Sequence, residues 1–280
     1  MSDGGTAPRI RLVAVDLDGT IVRADRSVSP RVRSALRECA ARDVPVVVAT
    51  ARRWLRTESL VASLELSGHC IVSGGGAVRV LPSGRVEIGV DLPRGVVAAA
   101  VHRIAACGLQ PVIGADHGEV QLAGDARRDT PSIARYLSRG ATRRVGEAEL
   151  ASWPATRVIA MGPAARVRSA ARACRGLGEV LVQDSILQHD AGGEQVLELH
   201  VMARNKGGAL HALCTQLGVP VGSTLVIGDA PSDLPMLEIA GVPVVMGQAE
   251  AGMKRRGWVV APGVAEDGAA WAIERFVLSG

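Results

Sequence analysis

The run Ile10-Arg11-Leu12-Val13-Ala14-Val15-Asp16-Leu17-Asp18-Gly19-Thr20-Ile21 decides how this chain is read. Leu12 to Val15 is apolar and β-branched, the pattern of a strand buried on both faces of a parallel sheet. The run stops at two carboxylates, Asp16 and Asp18, and Gly19 and Thr20 follow at once. In an open α/β sheet, chemistry gathers just beyond the carboxyl ends of the strands. Two acids there, with a glycine to turn the chain, can share a metal and divide nucleophilic and acid–base work. Taken alone, the same residues read equally well as a solvated Asx turn.

Working outward, Ser29-Pro30 supplies an N-cap and an N1 proline, and Val32, Ala35, Leu36, Cys39 and Ala40 repeat at helical spacing. A second apolar strand, 45–49, ends at Thr50. A helix is expected over 53–66 and a third strand over 69–73, before Gly74-Gly75-Gly76. This β-α-β-α-β alternation predicts a parallel sheet with right-handed crossovers. The pattern changes near residue 77. A hairpin is expected over 78–81 and 85–90, around Pro82-Ser83-Gly84. Helices are then expected near 94–107, 130–139 and 164–175, and strands at 110–114, 118–123, 156–161, 179–184 and 195–201. They mix without strict alternation, as in an α+β insert.

From Lys206 the earlier pattern resumes. A helix carries Leu210, Leu213, Cys214 and Leu217, and a strand over 224–227 ends in Gly228-Asp229-Ala230-Pro231-Ser232-Asp233. A helix at 233–240, strands at 242–246 and 257–260, and helices near 249–256 and from 267 complete it. The expected fold is α/β: a doubly wound, Rossmann-like parallel sheet core over 10–81 and 202–280, with an inserted α+β cap over 82–201 and a disordered tail over 1–9.

Composition narrows the function classes. Over 280 residues, 48% hydrophobic and 21% charged content is enough for a sizeable core and two domains. Aromatics are only 2%, and no basic run exceeds Lys254-Arg255-Arg256, which is poor material for a nucleic-acid surface. The net charge of +4 suits small anionic substrates. Five scattered cysteines without Cys-x-x-Cys spacing argue against a disulfide framework or a zinc site and for a reducing compartment. Residues 1–9 lack an apolar leader core, and no apolar run approaches the roughly 18 residues of a membrane span. A soluble cytoplasmic protein, monomer or homodimer, is expected.

Four short sites now fall at matching places. Asp16 and Asp18 follow one strand, Thr50 ends the next, Lys206 opens a helix, and Asp229 and Asp233 flank a strand-to-helix loop. Three strands thus deliver polar groups to one edge of one sheet. The carboxylates make a hard-oxygen site suited to Mg²⁺. A lysine and a threonine hydroxyl can hold phosphoryl oxygens. Only Lys206 and Lys254 are lysines, so a lysine at such a place is informative.

These residues resemble the haloacid dehalogenase superfamily of phosphotransferases. Asp16-Leu17-Asp18-Gly19-Thr20 is similar to its first motif, Thr50 to its second, Lys206 to its third, and Gly228-Asp229-x-x-Ser232-Asp233 to its fourth. The placement of the insert, with Met246-Gly247-Gln248-Ala249, Lys254 and Glu266-Asp267-Gly268, resembles the Cof-type branch with a large α/β cap (class IIB). The resemblance implies that Asp16 is the nucleophile and Asp18 the general acid and base. Thr50 and Lys206 then bind the phosphoryl group, and Mg²⁺ sits on Asp16, the Asp18 carbonyl and Asp229. Asp233, with Ser232 beside it, orients this set from behind. The implied activity is Mg²⁺-dependent hydrolysis of a small phosphorylated metabolite, most plausibly a sugar phosphate, through an aspartyl-phosphate. A phosphosugar mutase and an inactive phosphate-ligand-binding protein are the alternatives.

Three positions depart from the family pattern: Ala51 for Gly, Ser232 for Asn and Gly75 for Asn. The last removes a polar contact near the cap entrance. Arg52 and Asn205 are candidate substrate contacts, with Arg53 and Arg204 beside them. Asp116-His117, His189-Asp190 and His200 read as structural, and the four tryptophans as packing residues.

Overall fold

A computed structural model describes residues 9–89, 91–114, 120–138, 141–178, 180–186, 194–201 and 205–279. In chain order the elements are β1 (Leu12–Asp16), α1 (Pro30–Ala41), β2 (Val46–Ala49), α2 (Glu58–Ser63), β3 (Gly68–Val72), β4 (Ala77–Leu81) and β5 (Val86–Gly89). Next come α3 (Arg94–Ala106), β6 (Val112–Gly114), β7 (Val120–Ala123), α4 (Pro131–Leu137), β8 (Ala141–Arg144), α5 (Glu147–Ser152), β9 (Arg157–Pro163), α6 (Ala164–Cys174), β10 (Val180–Ile186) and β11 (Glu194–Val201). The chain closes with α7 (Lys206–Leu217), β12 (Thr224–Gly228), α8 (Leu234–Leu237), β13 (Val242–Val245), α9 (Ala251–Lys254), β14 (Val259–Val260) and α10 (Gly268–Ile273). It divides into two compact units, with breaks between Ile88 and Gly89 and before Asn205.

The first unit is an eight-stranded sheet in the order β14-β13-β12-β1-β2-β3-β4-β5. Pairing is parallel from β14 to β3 and turns antiparallel at β3–β4. β1 is wholly buried because alternate residues serve two cores. Val13 and Val15 face a layer that includes Leu36 of α1 and Ile273 of α10, and Leu12 and Ala14 face Leu210 and Leu213 of α7. Register puts Asp16 opposite Ala49 and Val15 opposite Ile227. The residues after β1, β2 and β12 therefore emerge at one edge.

The second unit is a six-stranded sheet in the order β10-β11-β9-β6-β7-β8, antiparallel except for β7–β8. Ile113, Leu122, Val158, Ala160, Leu197 and Leu199 pack against α3 and α6. Val112, Ala123, Ile159 and Met161 meet α4 on the other face.

The structure differs from the expectations in four places. The predicted hairpin exists, but β4 and β5 extend the first sheet, so the first break lies at 88/89 rather than 81/82. The helix expected over 53–66 is a 3₁₀ turn at Trp54–Arg56 followed by α2, and Glu65 at φ 55° ends it. The C-terminal helix becomes a π-helical turn at Glu274–Leu278. β8 and α5 were not foreseen: Ala141–Arg144 is exposed along its length and lacks the apolar alternation that marks a strand. The tail 1–8, with residues 118–119, 179 and 202, lies outside the described residues.

Each tryptophan carries an arginine over its ring: Arg79 on Trp54, Arg143 on Trp153, Arg256 on Trp258 and Arg275 on Trp271, at 5.2–5.4 Å. The faces are spent on internal packing. No helix among the described residues is long and apolar enough to cross a membrane.

Candidate active site

The acidic loop is built on Leu17, whose carbonyl accepts the N–H groups of Thr20, Ile21 and Val22. That tight turn leaves Asp16 at the strand end, 5% exposed, and places Gly19 at φ 79°. A Cβ on Gly19 would stand 2.2 Å from Asp229 Oδ2. Glycine is thus required twice, for the left-handed backbone and for the approach of Asp229. Gly19→Ala is expected to cost about 1–2 kcal/mol of stability from the backbone alone, and to displace Asp229. Urea unfolding and a divalent-cation titration check both effects.

Lys206 is the first residue of α7 and only 2% exposed. Asn205 caps that helix, its Oδ1 accepting from Gly208 N at 2.8 Å. Lys206 Nζ donates to Asp16 Oδ1 at 2.5 Å and to Asp233 Oδ1 at 2.6 Å. Asp233 is fully buried, and its second oxygen accepts from the backbone N–H groups of Asp229 and Ala230, each at 3.0 Å. One carboxylate therefore fixes both the lysine and the β12–α8 loop. Asp229 is half-buried; Thr20 Oγ1 donates to its Oδ1 at 3.4 Å and Gln248 Nε2 to its Oδ2 at 3.3 Å.

Thr50 is 1% exposed, with its N–H on Ile71 O at 2.8 Å. Its hydroxyl oxygen accepts from Arg52 N at 3.0 Å, leaving the hydroxyl proton to donate elsewhere. Asp18 points outward, and Arg52 forks onto it: Nε donates to Oδ2 at 2.7 Å and Nη2 to Oδ1. Arg52, read as a substrate contact, is here a partner of Asp18. Asn205, read likewise, is a helix cap. Ser232 is exposed in the Pro231–Asp233 turn.

Gly75 has a steric role that the sequence reading missed. At φ 106°, a Cβ there would lie 2.3 Å from Asn205 O, so only glycine lets the 73–76 loop meet the start of α7. Gln248 and Thr20 were missed as partners of Asp229; both stand within quoted motifs, but nothing in their spacing tells where they reach. Asp116, His117, His189, Asp190 and Arg204 lie outside the described residues.

Carboxylate oxygens of Asp16, Asp229 and Asp233 lie within 4.8 Å of one another. Burial, with the charges of Asp233 and Asp229, lifts Asp16 to about 7 against the pull of Lys206. Burial and then Asp233 raise Asp229. Burial pulls Lys206 down, but Asp16 and Asp233 outweigh it and hold the ammonium form. Three acids thus face one ammonium, and the shortfall of positive charge sits on Asp16 and Asp229. A hard divalent cation such as Mg²⁺ fits that donor set, since it takes few protein oxygens and keeps several waters. Asp233, with both oxygens engaged, fits a supporting place behind it.

A doubly wound sheet with acids, a buried lysine and a threonine hydroxyl at the carboxyl ends of its strands defines a class of α/β protein suited to phosphoryl transfer. The chain belongs to the haloacid dehalogenase-like hydrolases, whose family profile matches residues 13–126 and 172–273. It is similar to the HMP-PP phosphatase of Serratia proteamaculans, 26% identical over 246 residues, covering 85% of this chain and 84% of that one. It is also similar to the phosphoglycolate phosphatase of Halobacterium salinarum, 29% identical over 263 residues, covering 94% and 96%. Among solved structures, the HAD subclass IIB sugar phosphatase BT4131 shares the fold, with a TM-score of 0.70 and 16% identity over 95% of this chain and 98% of that one.

Proposed function

We propose that the chain is a Mg²⁺-dependent phosphatase acting on a small phosphorylated metabolite, most plausibly a sugar phosphate, through an aspartyl-phosphate on Asp16. The observation that carries the reading is Asp16 at the end of the central strand, aligned by a buried lysine that is itself fixed by Asp233. The names of the relatives, phosphatases of small phosphorylated compounds, support it.

In the first step a carboxylate oxygen of Asp16 forms a bond to phosphorus and the bond to the leaving oxygen breaks. Asp18 gives that oxygen its proton. Thr50 and Lys206 hold the phosphoryl oxygens as charge spreads over them. In the second step water attacks phosphorus and yields its proton to the Asp18 carboxylate. The Asp16–phosphorus link breaks and inorganic phosphate leaves. Mg²⁺ held by Asp16, Asp229 and the Asp18 carbonyl would supply positive charge against the phosphoryl oxygens. Arg52 sets where the Asp18 carboxylate stands through Nε and Nη2, two of its five N–H donors, so it can meet a substrate anion while still holding Asp18. Choice of leaving group is assigned to the inserted unit, because the phosphoryl-handling residues all belong to the first. The enzyme is read as cytoplasmic, a monomer or homodimer.

The test is phosphate release from sugar phosphates, nucleotides, pyridoxal phosphate and phosphoglycolate, with Mg²⁺ and with EDTA. Mg²⁺-dependent release from one class supports the reading and ranks the substrates. No release from folded, Mg²⁺-binding protein rejects it.

A pH dependence follows from Asp16. Below about 7 the proton competes with the cation for its carboxylate. Mg²⁺ affinity is expected to rise as pH increases from 6, by up to about tenfold per unit, and to level off above 8. Calorimetry in two buffers of different ionisation heat would also count the proton released.

A further inference from the structure

Gln248 lies in the loop after β13 and is exposed, yet its carboxamide is held at both ends. Its Nε2 donates to Gly19 O at 2.5 Å and to Asp229 Oδ2 at 3.3 Å. Its Oε1 accepts from Val264 N at 3.1 Å. The neighbours leave no choice of orientation. A backbone N–H requires the oxygen on one side, and a carbonyl and a carboxylate require the nitrogen on the other.

The two groups that Gln248 joins also approach each other closely, since Gly19 has no room for a Cβ beside Asp229 Oδ2. Lys206 and Asp233 fix Asp16 and the backbone of the β12–α8 loop; neither hydrogen-bonds the Asp229 carboxylate. Among the described residues its side-chain partners are the Thr20 hydroxyl, at a long 3.4 Å, and Gln248. The far end of the amide is anchored to the Gly263–Asp267 segment. Gly263 N–H is held there by Glu266 at 3.1 Å, and Asp267 pairs with Arg23 at 2.8 Å.

We infer that Gln248 is a positioning residue: it sets the rotation of the Asp229 carboxylate relative to the acidic loop, and so tunes divalent-cation affinity through a group that does not touch the cation. The inference rests on the assignment of Asp229 to the cation. Partners that orient a ligating carboxylate typically change metal affinity about 10–100-fold when removed.

The experiment compares the parent chain with Gln248→Met, which keeps length and removes the amide. Mg²⁺ binding is measured by calorimetry on the apo proteins, with thermal midpoints in EDTA and, separately, the Mg²⁺ dependence of phosphate release. The expected result is Mg²⁺ binding weaker by about 10–100-fold, an EDTA midpoint unchanged within about two degrees, and a rate at saturating Mg²⁺ within a few-fold of the parent. Unchanged affinity in the folded variant overturns the inference alone. A midpoint lowered by several degrees in EDTA also overturns it, making Gln248 a strut between loops. A parent chain that binds no Mg²⁺ removes the cation assignment itself, and the inference with it.

Discussion

Replacing Asp16 by Asn is expected to lower kcat for phosphate release by at least about 10⁴-fold, the scale seen when a nucleophile is deleted from an otherwise intact site. Asn keeps the shape of the side chain, and its Oδ1 can still accept from Lys206 Nζ, which stands 2.5 Å from Asp16 Oδ1. Both neighbours of the strand, Val15 and Leu17, are fully buried and untouched by the change. The variant should therefore fold, with a thermal midpoint within a few degrees of the parent. Loss of release by folded protein is the expected outcome. Release within tenfold of the parent would mean that another group attacks phosphorus. Product analysis on the parent separates hydrolysis from transfer, since a mutase would return isomerised sugar phosphate rather than free phosphate.

Lys206→Met is expected to cost more stability than any other single change at the site, about 3–5 kcal/mol at pH 7 in EDTA. The lysine is 2% exposed, and methionine fills its space while leaving Asp16 and Asp233 without their ammonium. Asp233 retains its two backbone N–H donors, so the loop after β12 should persist while Asp16 carries the strain. The pH dependence has a definite sign. A carboxylate whose folded pKa stands above its unfolded value of 3.8 destabilises once ionised, and Asp16 is already raised to about 7 with the lysine present. The deficit of Lys206→Met therefore grows as pH rises through about 7, where the parent ionises Asp16 and the variant does not, and is level below about 6. Urea unfolding at pH 6, 7.5 and 9 checks it. A deficit independent of pH would assign the loss to packing.

Much of this was legible in the sequence, for identifiable reasons. Leu12 to Val15 could be read as a buried parallel strand because a strand buried on both faces must be continuously apolar. Asp16, Thr50 and Asp229 could be placed together because each ends such a strand. Lys206 was conspicuous in a chain whose basic residues are otherwise almost all arginine. What was not legible depends on where side chains reach across the fold. Arg52 next to Thr50 gives no sign that it forks onto Asp18, 34 positions away. Gly75 reads as a missing polar group until Asn205 O is found where its side chain would be. β8 hid because an exposed strand leaves no hydrophobic signature. β5 was assigned to the wrong sheet because a hairpin carries no mark of the sheet it joins.

The position of β1 between β2 and β12 also governs the order of events during synthesis. Its partner on one side is 33 residues downstream (Val13 with Val46), but on the other it is 212 (Leu12 with Thr224). While the ribosome makes the intervening unit, the innermost strand of the first unit has a bare flank of unpaired amides and carbonyls. Nascent chains released before Thr224 are expected to aggregate or to recruit chaperones, and those released after Gly228 to escape. The catalytic edge is thus among the last parts of the molecule to come into existence.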